Sequence, residues 1–334
     1  VMKQISILSF LFVTVISYSA SAQNYRTNYP HTNHKVFYQT NGLHYDLFDE
    51  YEYDNQFGAY RYLPTLQSIR YNRVDALFVG VGSDFADPNS EILNIGGVDF
   101  DGFIGYSTGQ KDWQYRASAT KIFGNWILFG GELTSSSATN DLWRTGLSEN
   151  SITTLVAGYD YHDYYKAEGY GVFSEINLGR LISLGASYNY TTYSTLENNT
   201  EYSFFGDGNI GRLNPAIDPS TDIIDQESIG LRLTLNKKGY TKGIITSKFL
   251  AEAELSDAGF ANDFNYNKFE ITTLNYLKLD DHTLFKLRVK AGSITGEVPE
   301  FKNFALGGIG SLRATGYKFY RGNRMFMSNA EVVF

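Results

Sequence analysis

Apolar and polar residues alternate with a period of two along most of the chain after residue 69. In "SIGLRLTLN", Ile229, Leu231, Leu233 and Leu235 share one side, opposite Gly230, Arg232, Thr234 and Asn236. In "LISLGASYNYT", Ile182, Leu184, Ala186, Tyr188 and Tyr190 oppose Ser183, Gly185, Ser187, Asn189 and Thr191. In "LFKLRVKAG", Phe285, Leu287, Val289 and Ala291 oppose Lys286, Arg288 and Lys290. A period of two belongs to a strand with one apolar and one wet face. Wound as a helix, the last stretch would set Lys286 and Lys290 beside Phe285 and Val289 and spoil any apolar stripe.

Counted this way, the pattern predicts about twelve strands: 69–82, 96–107, 112–123, 126–135, 151–162, 166–178, 181–192, 226–236, 246–255, 264–279, 283–293 and 323–334. A count of 10–16 is compatible with the same pattern. Many of these stretches reach the ~9–11 residues that a tilted strand needs to cross a bilayer. They exceed the ~5–6 residues usual for soluble strands. A soluble sandwich and a membrane barrel both fit alternation, one turning the apolar faces inward and the other outward. Long strands, Tyr near strand ends and a terminal aromatic favour an all-β transmembrane antiparallel β-barrel of the outer-membrane type. Counting back from a periplasmic C-terminus makes 193–225 and 294–322 long outer loops, and 179–180 and 280–282 tight inner turns. Segment 136–150 is then long where a turn should be short, and its "NDLWRTGLSEN" is a candidate short helix or plug element.

Composition agrees. The 334 residues include 26 Tyr, 24 Phe and 32 Gly but only 6 Pro, and no later run approaches the apolar length of a spanning helix. The N-terminus has the layout of a secretory signal: Lys3, an apolar core at Ile5–Ile16, and Ala20-Ser21-Ala22 as cleavage site. The expected organisation is a signal at 1–22, an N-terminal arm or plug at 23–65 and the barrel at 66–334. The absence of cysteine removes disulfide frameworks and thiolate metal sites. The net charge of −8, with no basic cluster, leaves no footprint for nucleic acid.

The closing stretch "FALGGIGSLR…GYKFYRGNRMFMSNAEVVF" resembles the C-terminal region of BamA/TamA-type outer-membrane assembly and translocation barrels. "RYNRVDALFVGVG" at 70–82 and "DYHDYYKAEGYGVFSEINLGRLISLGASY" at 160–188 look like barrels of that superfamily from Bacteroidetes-like bacteria. The family motif places Arg directly before Gly and an aromatic; here Ala314-Thr315 separate Arg313 from Gly316-Tyr317. The arm at 23–65 is shorter than one periplasmic POTRA module, so the resemblance implies a member without them. It also implies outer-membrane lipid, the barrel-assembly machinery and other envelope-complex subunits as partners. The last strand, with Phe326, Glu331 and the terminal Phe334, would then carry the assembly signal.

Arg313 has a physical reading of its own. A guanidinium on a Gly-rich loop can fold into a lumen and bind a strand carboxylate through two parallel bonds. Glu252 and Glu254 fall on the polar face of their strand and are the expected partners, with Glu331 next. Together with Gly316 and Tyr317, Arg313 forms the predicted loop anchor. Catalytic signatures are lacking: His31-x-x-His34 sits among Asn, Thr and Pro, and His162 lies between Asp160 and Asp163 with no motif-placed Ser. No cofactor or metal is expected. The functional expectation is a barrel for protein translocation or assembly, or the barrel subunit of an envelope complex. The alternative is a passive or plugged channel or structural protein.

Overall fold

The computed structural model describes residues 69–82, 93–95, 97–124, 126–179, 181–206, 208–236, 245–279 and 283–333. The signal segment with Ala20 and Ala22, the arm at 23–65 and Phe334 lie outside these residues, as do His31, His34 and His44. The described part is nearly all antiparallel β. Its strands are β1 (Ile69–Asn72), β2 (Ala76–Gly82), β3 (Leu93–Ile95), β4 (Val98–Ser107), β5 (Asp112–Phe123), β6 (Ile127–Ala138), β7 (Tyr165–Leu178) and β8 (Ile182–Thr195). They continue with β9 (Ile223–Leu235), β10 (Ile245–Leu255), β11 (Tyr266–Lys278), β12 (Leu284–Gly296), β13 (Phe304–Leu306), β14 (Tyr320–Gly322) and β15 (Arg324–Val333). One helix, α1 (Leu147–Ala157), stands between β6 and β7. Twelve strands follow one another in a single sheet, β1-β2-β4-β5-β6-β7-β8-β9-β10-β11-β12-β15, with β3 paired to β4 and with β13 and β14 forming a separate small sheet. Among the described residues no ladder joins β1 to β15.

The burial of this sheet is inverted relative to a soluble protein. Leu133, Val172, Leu231, Phe269 and Ile271 stand exposed on one face, and Phe326 keeps 71% of its surface. The opposite face buries Gln114, Ser183, Gln226, Thr234, Glu270 and Lys290. Register fixes the sides: Arg232 faces Glu252, Lys290 faces Met327, and Ala291 faces Phe326. The faces assigned from alternation on β8, β9 and β12 are the ones the structure adopts. Strands of 10–14 residues from β4 to β12, and of 10 residues in β15, suffice to cross a bilayer. Aromatic residues mark both ends of the apolar band, with Tyr106, Trp113 and Tyr170 at one and Phe123 and Trp126 at the other. Beyond the first of these the outer face turns polar, where Lys166 lies 2.6 Å from Asp112 and Thr192 donates to Asp225 at 2.6 Å. This is the wall of a transmembrane β-barrel.

Two of the predicted strands differ, and the errors offset one another. The stretch 69–82 breaks into β1 and β2, because Asn72 Oδ1 accepts the backbone N–H groups of Val74 and Asp75 at 2.9 and 2.7 Å and folds a tight turn. The stretch 151–162 is not a strand. Residues 147–157 are helical, with Glu149 accepting from the Gly146 backbone N–H at the start and Gly158 in the left-handed conformation (φ 68°) at the end. The overlong "turn" at 136–150 is thereby explained. With no strand at 151–162, the segment 139–164 becomes one connection at the long-loop end, beside 196–222 and 297–323. The opposite end holds the connections 124–126, 179–181 and 279–283.

Candidate functional site

The three long connections fold over and into one mouth of the sheet, and a cluster of buried charges holds them there. Arg73, in the β1–β2 turn, has no exposed surface. Its Nη2 lies 3.0 Å from Asp163 Oδ1, its Nη1 3.5 Å from Asp160 Oδ1, and its backbone N–H donates to Asp160 Oδ2 at 3.0 Å. Arg212 of the 196–222 loop reaches the same Asp163 oxygen at 2.6 Å. From the 297–323 loop, Lys318 Nζ sits 2.7 Å from Asp163 Oδ2 and 2.7 Å from Asp141 Oδ2. Asp141 is held in turn by Arg144 Nε at 3.3 Å. Asp163 therefore joins cations from three separate segments.

Arg144 fastens the last loop a second time. Its Nη1 donates to the Gly307 carbonyl at 3.0 Å and to Ser311 Oγ at 3.1 Å, and its Nη2 donates to the Ala305 carbonyl. The Tyr317 hydroxyl donates to the Tyr161 carbonyl, and its ring lies 4.7 Å from the Arg212 guanidinium. Lys318 takes a left-handed backbone (φ 48°) that turns its side chain under the loop. The glycine pair is needed for close approach: a Cβ on Gly307 (φ 121°) would lie 2.2 Å from the Gly316 carbonyl oxygen. Phe304 then packs on the inner wall at Gly292 of β12, where a Cβ would meet the ring at 2.2 Å.

Burial and charge act against each other here. Burial works to raise the Asp163 carboxyl, but Lys318, Arg212 and Arg73 hold it far below the usual carboxylate range. Asp141 follows the same logic, burial opposed by Lys318 and Arg144, and ends lower than normal. His162 is fully buried and its pKa is lowered by desolvation, against the pull of Asp141 and Asp160. As a neutral imidazole its Nε2–H donates to the Thr145 carbonyl at 2.9 Å, a tautomer assigned from that acceptor. Asp160 accepts from Tyr164 and Asn150, both at 3.0 Å, so the Asp160/His162/Asp163 group is fixed by structural partners.

Below this lock the inner wall is lined by paired charges: Arg232 with Glu252 at 2.6 Å, Lys290 with Glu270 at 2.7 Å, and Lys302 with Glu254 at 2.9 Å. Trp143, from the predicted plug segment, lies within 4.8 Å of Lys290 Nζ and 5.3 Å of the Arg288 guanidinium. Trp143, Arg232, Glu252, Glu254, Glu270 and Lys290 border a cavity of about 190 Å³.

The predicted loop anchor is only partly brought together. Arg313 is exposed, and no carboxylate pairs with it among the described residues. Glu252 is engaged by Arg232, and Glu254 by Lys302 and the Tyr266 hydroxyl at 2.7 Å. Glu331 is exposed and stands opposite Lys286. Gly316 and Tyr317 do lie at the anchor, but the inward cation is Lys318, with Asp141 and Asp163 as its carboxylates. Sequence reasoning missed this because the partners flank the segment taken as a strand: Asp141 lies in the 136–150 plug candidate and Asp163 just past 151–162. The available signal was "YDYHDYY", whose two acids flank a histidine inside an aromatic run. Phe326 stands on the exposed apolar face of β15.

Several solved structures are similar to this chain. BamA from Haemophilus ducreyi lacking POTRA domains 1–3 aligns at 15% identity and a TM-score of 0.48, covering 79% of this chain and 51% of that one. The chain thus spans about half the length of that protein. Outer-membrane expressed OmpT of Vibrio cholerae aligns at 13% identity and a TM-score of 0.36, covering 85% of this chain and 71% of that one. No curated protein matches the sequence. Residues 45–244, more than half of the chain, match the C-terminal domain model of a family of unknown function, DUF5686, and the chain belongs to that family.

Proposed function

We propose that this chain is the barrel of an outer-membrane protein assembly or translocation device, or the barrel subunit of an envelope complex, with a lumen closed at its loop end. One observation carries the closed lumen: Lys318 bridges Asp141 and Asp163 at 2.7 Å each and fixes the 297–323 loop inside the mouth. A diffusion pore needs a continuous wet path. The lock, the inner-wall ion pairs and Trp143 crowd the wet face at that end and support a blocked path. The assembly or translocation role is supported by the sequence resemblance to BamA/TamA-type barrels in the closing segment. An assembly signal in the last strand, formed by Phe326, Glu331 and Phe334, and the barrel-assembly machinery as its reader, belong to the same reading.

Planar-bilayer recording of the purified chain tests the closed lumen. The expected trace lacks a steady open level, whereas a stable porin-like conductance would refute the proposal. Pull-down from native membranes separates the two forms of the reading, since a stoichiometric partner favours the subunit role.

A further inference from the structure

Helix α1 is built the wrong way round for a helix bathed in water. Its buried residues are the polar Asn150 and Thr154, four apart on one side. Asn150 Nδ2 donates to Asp160 Oδ1 at 3.0 Å and to the Tyr164 hydroxyl at 2.9 Å. Ile152 and Val156, again four apart, are exposed by 50% and 40%. An amphipathic helix turns its apolar stripe toward the less polar medium. For α1 that medium is outside the protein.

A second segment extends the same surface. The backbone N–H groups of Phe204 and Phe205 donate to the carbonyls of Leu155 and Val156 at 2.8 and 3.0 Å, stapling this turn to the last turn of α1. Tyr202 and Phe204 are more than half exposed, and Phe205 keeps 85% of its surface. The patch also lies on the outer side of the sheet. Tyr71 pairs with Leu77 and Ile69 with Val79 across β1 and β2, and Leu77 and Val79 belong to the exposed apolar face. Tyr71 is covered on that side, its hydroxyl donating to the Tyr202 carbonyl at 2.7 Å, while its backbone N–H donates to Ser151 of α1 at 3.2 Å. The patch is therefore continuous with the apolar wall of β2, at the end of the sheet where Tyr106 and Trp113 mark the rim.

We propose that α1 and the Tyr202–Phe205 turn form a lipid-seated flap. Ile152, Val156, Tyr202, Phe204 and Phe205 rest in the bilayer interface beside the first strand, and Asn150, Ser151 and Thr154 face the protein. Aromatic and aliphatic side chains on one face of such an element favour the headgroup–acyl boundary. Asp160 receives Asn150 of the flap and Arg73 of the lock, so the seat of the flap is tied to the lock. The proposal rests on the membrane-barrel reading, and its test separates the two.

The chain has no native cysteine, so single sites can be labelled cleanly. Nitroxide is attached to Phe205→Cys and, independently, to Val156→Cys in the full chain reconstituted in phosphatidylcholine vesicles. Leu231→Cys on the wall and Asp257→Cys on an exposed loop serve as references, and retained heat-modifiable gel mobility shows that each variant is folded. Collision with molecular oxygen and with a water-soluble nickel chelate is measured at each site. Residues 156 and 205 are expected to favour oxygen over nickel several-fold relative to Asp257, as Leu231 does. Residues 156 and 205 behaving like Asp257 while Leu231 reports lipid would overturn the flap alone. Leu231 behaving like Asp257 would overturn the barrel reading beneath it. Protection of the two sites in native membranes but not in vesicles would assign the patch to a protein partner and reject lipid.

Discussion

Lys318 and Arg313 stand five residues apart on one loop and make opposite contributions. Lys318 neutralises two buried carboxylates, so its removal leaves Asp141 and Asp163 facing each other without a shared cation. Breaking a buried pair in this way typically costs roughly 3–5 kcal/mol. Lys318→Ala is accordingly expected to lower the urea midpoint of the folded barrel and to open the 297–323 loop to protease. Exposed Arg313 should behave as an ordinary surface residue, with Arg313→Ala changing stability by about 0.5 kcal/mol or less in the same assay. Equal effects of the two substitutions would contradict the assignment. The pH dependence follows from the same cluster. Groups whose folded pKa is depressed stabilise the fold above their unfolded pKa and lose that contribution as pH falls through the folded value. Burial lowers His162 from its ordinary 6.5, so loop protection should begin to weaken below that pH. The carboxylates, lowered from 3.8, should add a second and steeper loss in stronger acid. Hydrogen exchange of the loop amides from neutral pH down into acid checks the order, and His162→Gln should remove the first phase only.

At the scale of elements, the closing loop depends on how closely two of its turns approach. Gly307 admits no side chain, both for its φ of 121° and because a Cβ there would lie 2.2 Å from the Gly316 carbonyl oxygen. A non-glycine residue held in such a conformation costs on the order of 1–3 kcal/mol. Gly307→Ala should therefore loosen the loop, read as faster proteolysis between residues 297 and 323. Gly316→Ala should not, because its Cβ would meet only the Phe319 ring at 3.9 Å. Gly307 and Gly316 are both visible in the sequence, whereas which of them is under constraint depends on which backbone crosses it. Helix α1 teaches a related point. Its Ile, Thr and Val residues favour strands, and its apolar positions alternate well enough to be counted as one. It is helical because Asn150 and Ser151 find partners at Asp160 and Tyr71, the latter 80 positions away.

Across the whole molecule, the wall obeys a rule that a single residue can test. Leu231 faces outward and its neighbour Arg232 faces inward, bonded to Glu252 at 2.6 Å. An arginine on the lipid face near the middle of a bilayer costs about 2–4 kcal/mol. Leu231→Arg is expected to lower the folded, heat-modifiable fraction in lipid vesicles. The inward Arg232 is tolerated because its charge is paired before it meets any hydrocarbon. An unchanged folded fraction would mean that Leu231 does not face lipid.

The wall was legible in the hydrophobic pattern: alternation assigns the two faces of β8, β9 and β12 correctly, because side chains at even spacing on a pleated strand must point the same way. The long and short ends follow from connection lengths in the same manner from β7 onward, whereas the false strand at 151–162 set segment 136–150 at the wrong end. The contents of the mouth were settled by contacts between segments far apart in the chain. Lys318 pairs with residues 155 and 177 positions away, and Arg144 with carbonyls beyond residue 300. Several cations and carboxylates were available for these bonds, and local periodicity carries no information about which of them fold to the same point. Burial made the choice, since an ion removed from water is retained only where an opposite charge already waits.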